Sequence, residues 1–264
     1  MRLYETTGVL EAEDLDKEEI TGIARQNLEK GERWHKKVSI REIVFGFNDG
    51  SISTLALLAA VTGGALARGQ VIVAGISGVV AGAVSMAIGA YISSKSEIDY
   101  YHSEIARERR EINEMPEVEN EELRQIYQKK ADFTEEELDT ITKRIMTDKK
   151  KLLDSMMKEE LGLFQARFEH PLKVGMVMLA AFLAGGLIPV MPFLLIENSG
   201  TSFLAASVAT FTSLFIIGLW KTTFTNKHWL VSGGEMVTMG ILATVIPYLI
   251  GDLVLPTILS HIIG

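Results

Sequence analysis

Residues 74–122 form one long helical pattern that begins with a composition suited to lipid and continues with one suited to water. The pattern is almost wholly apolar up to Met86, and no glycine or proline interrupts it between Tyr91 and Met115. Small residues and Met86 recur at every fourth position, at 74, 78, 82, 86 and 90, a spacing typical of close helix packing in membranes. We therefore predict a transmembrane helix that extends into the aqueous phase and presents carboxylates there.

Five apolar spans account for most of the hydrophobic sequence, and each is near the roughly 20 residues that cross a bilayer. They lie at 43–67, 71–93, 172–196, 202–220 and 229–251. The connectors between them are short except for the charged block 94–170, which separates the second span from the third. The predicted fold class is an all-α membrane protein with five transmembrane helices and a cytoplasmic three-helix domain inserted between spans two and three.

The same pattern divides the chain into four parts. We predict an amphipathic cytoplasmic helix within residues 1–40 and spans one and two within 41–93. A helical domain follows within 94–170, and spans three to five lie within 171–264. The N-terminal helix either lies at the membrane interface or packs on the soluble domain. Inside the helical domain the extension of span two should end near residue 114, before Pro116. Two further helices are expected at 120–130 and 134–168, the latter opened by a capping box at Thr134.

The placement of lysine and arginine predicts the orientation in the membrane. Basic residues occur before span one, in the 94–170 block and in the connector 221–228, whereas the opposite loops hold only Arg68. The N-terminus and residues 94–170 are thus expected in the cytoplasm and the C-terminus outside. Residues 1–37 lack the apolar core of a cleavable signal, which favours a prokaryotic plasma membrane.

Composition argues against several classes of function. The net charge of −8 disfavours nucleic acid as a partner and is compatible with cations. Because the chain has no cysteine, it has neither disulfides nor thiolate metal ligands. The sequence contains no catalytic-triad pattern, no glycine-rich phosphate loop and no histidine-rich zinc motif, so we expect neither an enzyme nor an organic cofactor.

Two carboxylates and one thioether are the candidate ligands within the membrane. Asp49 lies inside span one, where a charged group costs about 2.5–3.5 kcal/mol, so it is a candidate site unless it is close enough to the interface to be hydrated. Glu235 lies at a similar depth in span five, and an interfacial position at the helix start is the alternative. Met86 belongs to the small-residue pattern of span two, although a single methionine in a helix usually serves packing.

A second group of candidate ligands lies in the cytoplasmic block. Three glutamates share one helix face, and glutamates and methionines follow on the later helices: Glu104, Glu108, Glu111, Glu119, Glu122, Met156, Met157 and Glu160. Carboxylate oxygens suit divalent cations, and thioether sulfur favours the softer transition metals, so a metal-binding domain is one interpretation. The alternative is a solvated face in which Arg107, Arg109 and Arg110 pair with the glutamates.

Four motifs in order carry a family resemblance. They are Phe47-Asn48-Asp49-Gly50-Ser51, the segment from Gly82 to Gly89, the segment from Met156 to Leu163, and Gly185-Gly186-Leu187-Ile188-Pro189. Over about residues 40–252 the chain resembles the vacuolar iron transporter family. That resemblance implies a homodimer of five-span subunits in the lipid bilayer, with a cytoplasmic three-helix metal-binding domain. It also implies export of Fe²⁺, and often of Mn²⁺ and related ions such as Zn²⁺ or Co²⁺, from the cytosol in exchange for protons.

The resemblance also assigns residues. Asp49 and Met86 resemble the family's transmembrane metal ligands, and Glu104 is a helical neighbour of the residues that resemble its cytoplasmic ligands, Glu108, Glu111, Glu119, Glu122, Met156, Met157 and Glu160. Two positions depart from the family pattern, since Ala90 stands where a glutamate is usual and Phe182 stands near a usual tyrosine. These losses bear on proton coupling and ion choice, and Glu235 is our candidate for part of the lost charge. The alternative function is a membrane-bound metal-binding or sensing protein without transport activity.

Overall fold

The computed structural model describes residues 21, 40–64, 66–163, 169–223, 225 and 227–250. In these ranges every regular element is a helix, so the prediction of an all-α chain is confirmed. The eight helices are α1 (Ile40–Gly63), α2 (Arg68–Glu114), α3 (Pro116–Lys130), α4 (Glu135–Met146), α5 (Lys149–Glu159), α6 (Pro171–Leu195), α7 (Ser199–Lys221) and α8 (Trp229–Leu249). Apart from Thr21, the predicted N-terminal amphipathic helix lies outside the described residues.

Five of the described helices are long and apolar enough to cross a membrane, namely α1, α2, α6, α7 and α8. They coincide with the five apolar spans in number and order, so this prediction is confirmed. Many of their outward-facing side chains are large and apolar, as expected where lipid replaces water. Val80 and Ile88 of α2 and Leu204 of α7 are examples, and each is more than half exposed.

Helix α2 continues without a break from its apolar part into its charged part, as predicted. Its 47 residues extend for about 70 Å at 1.5 Å per residue, which is more than twice the thickness of the hydrocarbon core of a bilayer. The helix ends at Glu114, and Pro116 opens α3 at the position where a missing backbone N–H costs nothing. The second helix of the insertion therefore begins at Pro116 rather than at residue 120.

The segment between α2 and α6, which we call the insertion, differs from its prediction. The prediction of a single last helix at 134–168 is wrong, because in the described residues one helix ends at Met146 and another begins at Lys149. The insertion therefore contains the end of α2 and three separate helices. Asp148 leaves helical geometry there, and its carboxylate accepts hydrogen bonds from two N–H groups in the first turn of α5. Helix α5 then ends at Glu159, and Gly162 follows with a φ of +63°, a conformation that glycine adopts without strain.

Helices α1 and α6 pack so closely that their backbones touch. A Cβ atom placed on Gly50 of α1 would overlap the carbonyl oxygen of Phe182, and one placed on Gly185 of α6 would overlap the carbonyl oxygen of Phe47. In a membrane, van der Waals packing drives helix association, and small residues allow the approach that such packing needs. The glycines at these two positions therefore set the distance between α1 and α6.

The small-residue pattern of α2 does not form the buried side of that helix. The buried positions in its apolar part are offset from the pattern by one residue, at Val71, Gly75, Val79 and Ala83. Gly78 and Gly82 lie instead beside large side chains, since a Cβ atom on Gly78 would meet Leu57 and one on Gly82 would meet the ring of Phe182. These glycines admit side chains from α1 and α6 rather than a neighbouring backbone.

Arg68 ties α2 to α6 at the end of the membrane bundle that is remote from the insertion. From the start of α2, its guanidinium donates to the carbonyl oxygens of Phe193 and Leu194, at 3.0 and 3.1 Å. The last four carbonyls of an α-helix have no partner within that helix, and a cation at this end also complements the helix dipole. Arg68 therefore provides hydrogen-bond donors for two carbonyl groups at the end of α6, and the same contact links α2 to α6.

The insertion has an apolar core of its own, built from α2, α3 and α5. The core residues are Ile112, Leu123, Leu152 and Met156, and all four are buried. Ion pairs join the helices around this core, with Arg124 of α3 bound to Glu135 and Asp139 of α4, and Lys130 of α3 bound to Glu159 of α5. Because exposed ion pairs contribute little stability each, the apolar core is the main support of the insertion.

Replacing Gly50 by alanine should destabilise the membrane bundle, because the added methyl group forces α1 and α6 apart. Overpacking of this kind costs roughly 1–3 kcal/mol, so the midpoint of thermal unfolding in detergent should fall by several degrees. Gly89→Ala is the matched control, since among the described residues no atom beyond its own stretch of helix lies within 4 Å of its Cβ position and alanine favours a helix over glycine. Equal midpoints for the two variants would contradict the backbone contact.

Candidate metal sites

A cavity of about 320 Å³ lies within the membrane part, between α1, α2 and α6. Its lining brings together two of the predicted transmembrane ligands, Asp49 from α1 and Met86 from α2. The other lining residues are Ser53, Thr54, Leu57, Gly78, Gly82, Ser85 and Phe182. A carboxylate and a thioether from different helices therefore border one shared space.

Glycines create part of this space. Gly78 and Gly82 of α2 have no side chain where a larger residue would meet Leu57 or Phe182. Phe182 is buried, and its ring lies against Gly82. The residue that stands near the family tyrosine is therefore an apolar wall of the cavity and offers no hydroxyl group to a bound ion.

Among the described residues, the Asp49 carboxylate has no partner that would compete with a cation. Ser53 Oγ donates to the main-chain oxygen of Asp49 at 2.6 Å, and not to its carboxylate. Within the part of the chain that the structure describes, no hydrogen bond or ion pair reaches the carboxylate itself. Because an unpaired charge inside a membrane protein is costly, a cation in the cavity would stabilise Asp49.

Four further polar groups on α1 have no role assigned from the sequence. The oxygens Glu42 Oε2, Asn48 Oδ1, Ser51 Oγ and Thr62 Oγ1 are buried and lack a hydrogen-bond partner among the described residues. Buried oxygens of this kind are uncommon in folded proteins and call for water or an ion. Asn48 adjoins Asp49 in sequence, but the burial of Glu42 and Ser51 depends on how the helices pack, which no local pattern indicates.

Glu235 lies outside the cavity, near the start of α8. Its side chain is exposed, and its Oε2 lies 3.8 Å from Nζ of Lys227 and 4.0 Å from Nζ of Lys221. The structure thus places Glu235 beside the connector between α7 and α8, as the interfacial alternative describes, and not with Asp49. Two lysines already balance its charge, which makes it a poor substitute for the glutamate that Ala90 replaces.

In the insertion, two of the predicted ligands form a buried pair. Glu108 of α2 is 1% exposed, and Glu119 in the first turn of α3 is 2% exposed. Their side chains are close enough to share a hydrogen bond when one of them carries a proton. Glu108 Oε1 and Glu119 Oε2 have no other hydrogen-bond partner in the described ranges. Such a pair can hold either a proton or a cation between its oxygens.

The environment of this pair favours the protonated form of Glu108. Burial is the main cause that raises the pKa of Glu108 from its ordinary value of 4.5 to about 8, and the neighbouring Glu119, Glu160 and Glu111 add to it. Burial also raises the pKa of Glu119. At neutral pH a protonated Glu108 can donate to the Glu119 carboxylate, so a cation that binds here must displace a proton.

The remaining glutamates surround the pair in different settings. Burial, and then the charge of Glu122, raises the pKa of Glu160, which follows α5. Glu104 and Glu111 both pair with Arg107, at 2.9 and 3.7 Å. The negative charge on this face of α2 is therefore partly neutralised, as expected if the face is solvated and its glutamates pair with arginine. Among the described residues, no three histidine, aspartate or glutamate side chains form a group that could hold a metal ion as they stand. Metal binding here would need a rearrangement of side chains.

Both predicted methionine ligands are buried near the end of α5. Met156 belongs to the apolar core of the insertion with Ile112 and Leu123, so its side chain fills space there. Met157 is also buried but lies outside that core cluster. Of the two, Met157 is therefore the better candidate for a sulfur ligand.

The stability of the metal-free protein should decrease as the pH rises from about 4.5 to about 8. Glu108 keeps its proton up to about pH 8 in the folded state, whereas the unfolded chain loses it near 4.5. The folded state therefore binds more protons throughout this window, and the free energy of unfolding falls with rising pH. Glu108→Gln, which cannot ionise, should flatten the decline in thermal unfolding measured across the window.

Glu114→Gln is the matched control for that measurement, since Glu114 is exposed on the same helix. A divalent transition metal should restore stability to the parent at the upper end of the window, because a ligand that binds only the folded state stabilises it. A decline that is equally steep in Glu108→Gln and in the parent would contradict the role given to this carboxyl group.

Comparisons with known proteins identify the family. A model of the VIT family matches residues 40–252, which include every helix described above. The vacuolar iron transporter of Plasmodium falciparum (isolate 3D7) is 33% identical over 235 residues, covering 85% of this chain and 86% of that protein. Vacuolar iron transporter 1 of Arabidopsis thaliana is 33% identical over 215 residues, covering 81% and 86%. The resemblance seen in the sequence is thus confirmed, and the chain belongs to the VIT family.

Proposed function

We propose that the protein transports Fe²⁺, and also Mn²⁺, out of the cytosol across a membrane in exchange for protons. The observation that carries the proposal is the cavity that Asp49 and Met86 both line within the membrane part. Five helices that are apolar enough to cross a bilayer support a transport role. The relatives' name, vacuolar iron transporter, supports iron as the cargo.

The two side chains of the cavity suit a transition-metal ion. Asp49 offers a carboxylate oxygen, which most divalent cations accept, and Met86 offers a thioether sulfur, which favours softer transition metals over Mg²⁺ and Ca²⁺. Two donors leave several positions on the ion open for water or for other groups. Incomplete coordination fits a transporter, because an ion that is held too tightly would not leave.

The insertion would collect metal before it reaches the membrane part. Glu108 and Glu119 hold a proton when no metal is bound, so metal binding there would release a proton. Helix α2 carries both Glu108 and Met86, which lie about 33 Å apart along the helix axis. One continuous helix would therefore connect the cytosolic collecting site to the cavity.

Direction and assembly are further parts of the proposal. The placement of lysine and arginine supports a cytoplasmic position for the insertion, and hence export of the metal from the cytosol. Asp49 and Met86 supply two ligands, whereas divalent ions of this kind take about four to six. A homodimer in which the second copy supplies ligands, together with water, would complete the site.

Asp49→Asn should lower metal flux at least tenfold, a loss of about 1.4 kcal/mol of interaction or more. The amide keeps the shape of the side chain but has no charge to hold a cation inside the membrane. Met86→Leu should lower the flux of Fe²⁺ as well, because it removes the one sulfur among the described lining residues of the cavity. Uptake of Fe²⁺ and Mn²⁺ into vesicles that contain the purified protein measures both effects.

Glu235→Gln is the matched control, since it removes one carboxylate from another span and lies outside the cavity. This variant should keep the flux of the parent. Uptake by Asp49→Asn at the parent rate would remove Asp49 from the pathway. A parent protein that binds metal but moves none would instead be a metal-binding or sensing membrane protein.

We expect the exchange for protons to be loosely coupled, so metal uptake by the parent should depend only weakly on an imposed pH difference. Asp49 is the one acidic side chain among the described lining residues, and Ala90, one turn beyond Met86, offers no proton-binding group. Ala90→Glu should steepen the dependence, whereas Ala90→Gln, which is polar but not ionisable, should leave it shallow. If the parent already responds steeply, and Glu235→Gln leaves that response unchanged, another residue carries the proton.

A further inference from the structure

A second cavity, of about 230 Å³, lies in the insertion between the end of α2 and the start of α5. Its lining residues are Arg109, Ile112, Asn113, Lys149, Lys150 and Leu153. Ile112 belongs to the apolar core of the insertion and Leu153 packs against that core. The cavity therefore combines an apolar side with three cationic groups from two helices, and none of its lining residues belongs to the candidate metal sites.

The three cationic groups at this cavity differ from their neighbours in their ion pairing. Within the described ranges, Arg109, Lys149 and Lys150 form no ion pair with a carboxylate. Their neighbours differ, since Arg107 pairs with two glutamates and Lys151 pairs with an aspartate. Like charges that line one cavity repel one another, so an anion bound there would stabilise the folded state.

Asn113 holds one of these cations at the cavity. Its Oδ1 accepts a hydrogen bond from Nζ of Lys149, and its Nδ2 donates to the main-chain oxygen of Arg109 at 2.6 Å. A side chain of α2 thus positions the ammonium group of α5. Because a lysine that is already ordered loses less conformational freedom on binding, this contact favours capture of a ligand.

The first turn of α5 carries positive charges, which interact unfavourably with the dipole of that helix. Lys149, Lys150 and Lys151 fill its first turn, where the helix dipole favours acidic side chains. Asp148 already accepts hydrogen bonds from the N–H groups of Lys150 and Lys151. The attraction for an anion therefore comes from the side-chain charges at the cavity and not from free N–H groups of the helix.

We propose that this cavity binds a small soluble anion that carries one or two phosphate groups, such as inorganic phosphate or pyrophosphate. Three cationic groups match a ligand with several acceptor oxygens and more than one negative charge. The volume of about 230 Å³ lies below the roughly 300–1,000 Å³ of sites for larger organic ligands. The cavity therefore suits the phosphate groups better than a complete nucleotide.

The position of the cavity distinguishes a soluble anion from a lipid headgroup. Arg109 lies about 24 Å along α2 from residue 93, where the apolar span ends. A headgroup of the membrane that holds the protein would have to cover this distance, whereas a soluble phosphate reaches the cavity directly. The proposal does not depend on metal transport, because it rests on residues outside the membrane part.

Calorimetry with pyrophosphate on the full-length protein, in bilayer discs of neutral lipid, tests the proposal. Metal should be removed by dialysis without a chelator, because a chelator is itself a polyanion. We expect saturable binding that is about tenfold weaker in Arg109→Gln and in Lys150→Gln. Lys151→Gln is the matched control, since Lys151 carries the same charge in the same turn but does not line the cavity. It should bind pyrophosphate like the parent.

Three results would overturn the proposal. The first is the absence of saturable binding by the parent, and the second is an equal loss in Lys151→Gln, which would mean that only general positive charge matters. Binding of the parent to vesicles of phosphorylated lipid, without binding of pyrophosphate, would overturn the assignment to a soluble anion. Thermal unfolding of each variant checks its folding, and either Arg109→Gln or Lys150→Gln alone is sufficient for the comparison.

Discussion

The backbone contact between α1 and α6 determines where the other groups of the membrane part lie. Gly50 and Gly185 allow the two helices to touch, and Asp49 is thereby held beside Phe182 at the cavity. Helix α2 completes the space with glycines that leave room for side chains from both partners. A larger residue at Gly50 or Gly185 would separate α1 from α6 and would alter the distance between Asp49 and Met86.

In the insertion, by contrast, side chains of like charge lie close to one another. Glu108 and Glu119 are buried side by side at one place, and the exposed side chains of Arg109, Lys149 and Lys150 line a cavity at another. The buried carboxylate pair lowers the stability of the folded state when both of its members are ionised. The apolar core between α2, α3 and α5 offsets this cost, because burial of its side chains contributes roughly 25 cal/mol per Å² of apolar surface. The insertion therefore combines a stabilising apolar core with groups of like charge.

Some of these features are predictable from the sequence and others are not. The five spans and the unbroken α2 follow from composition, because a bilayer requires helices of a certain length with apolar surfaces. The break between α4 and α5 does not, since charged residues on both sides of Asp148 are all compatible with one long helix. Only the competition between helix continuation and capping by the Asp148 carboxylate decides it. Asp49 is identifiable in advance because a carboxylate within an apolar span is exceptional.

The sequence by itself determined the helical class, the number and order of the spans, and the chemical types that could bind a metal. Only the tertiary structure decided which of those residues share a space: Asp49 with Met86 at the cavity, Glu108 with Glu119 in the insertion, and Glu235 with two lysines away from both. The reason is that helical periodicity determines which face of its own helix a residue occupies, but not which residues of other helices that face will contact. The rotation and approach of neighbouring helices depend on the volumes of side chains that meet from distant parts of the chain, and no local pattern contains that information.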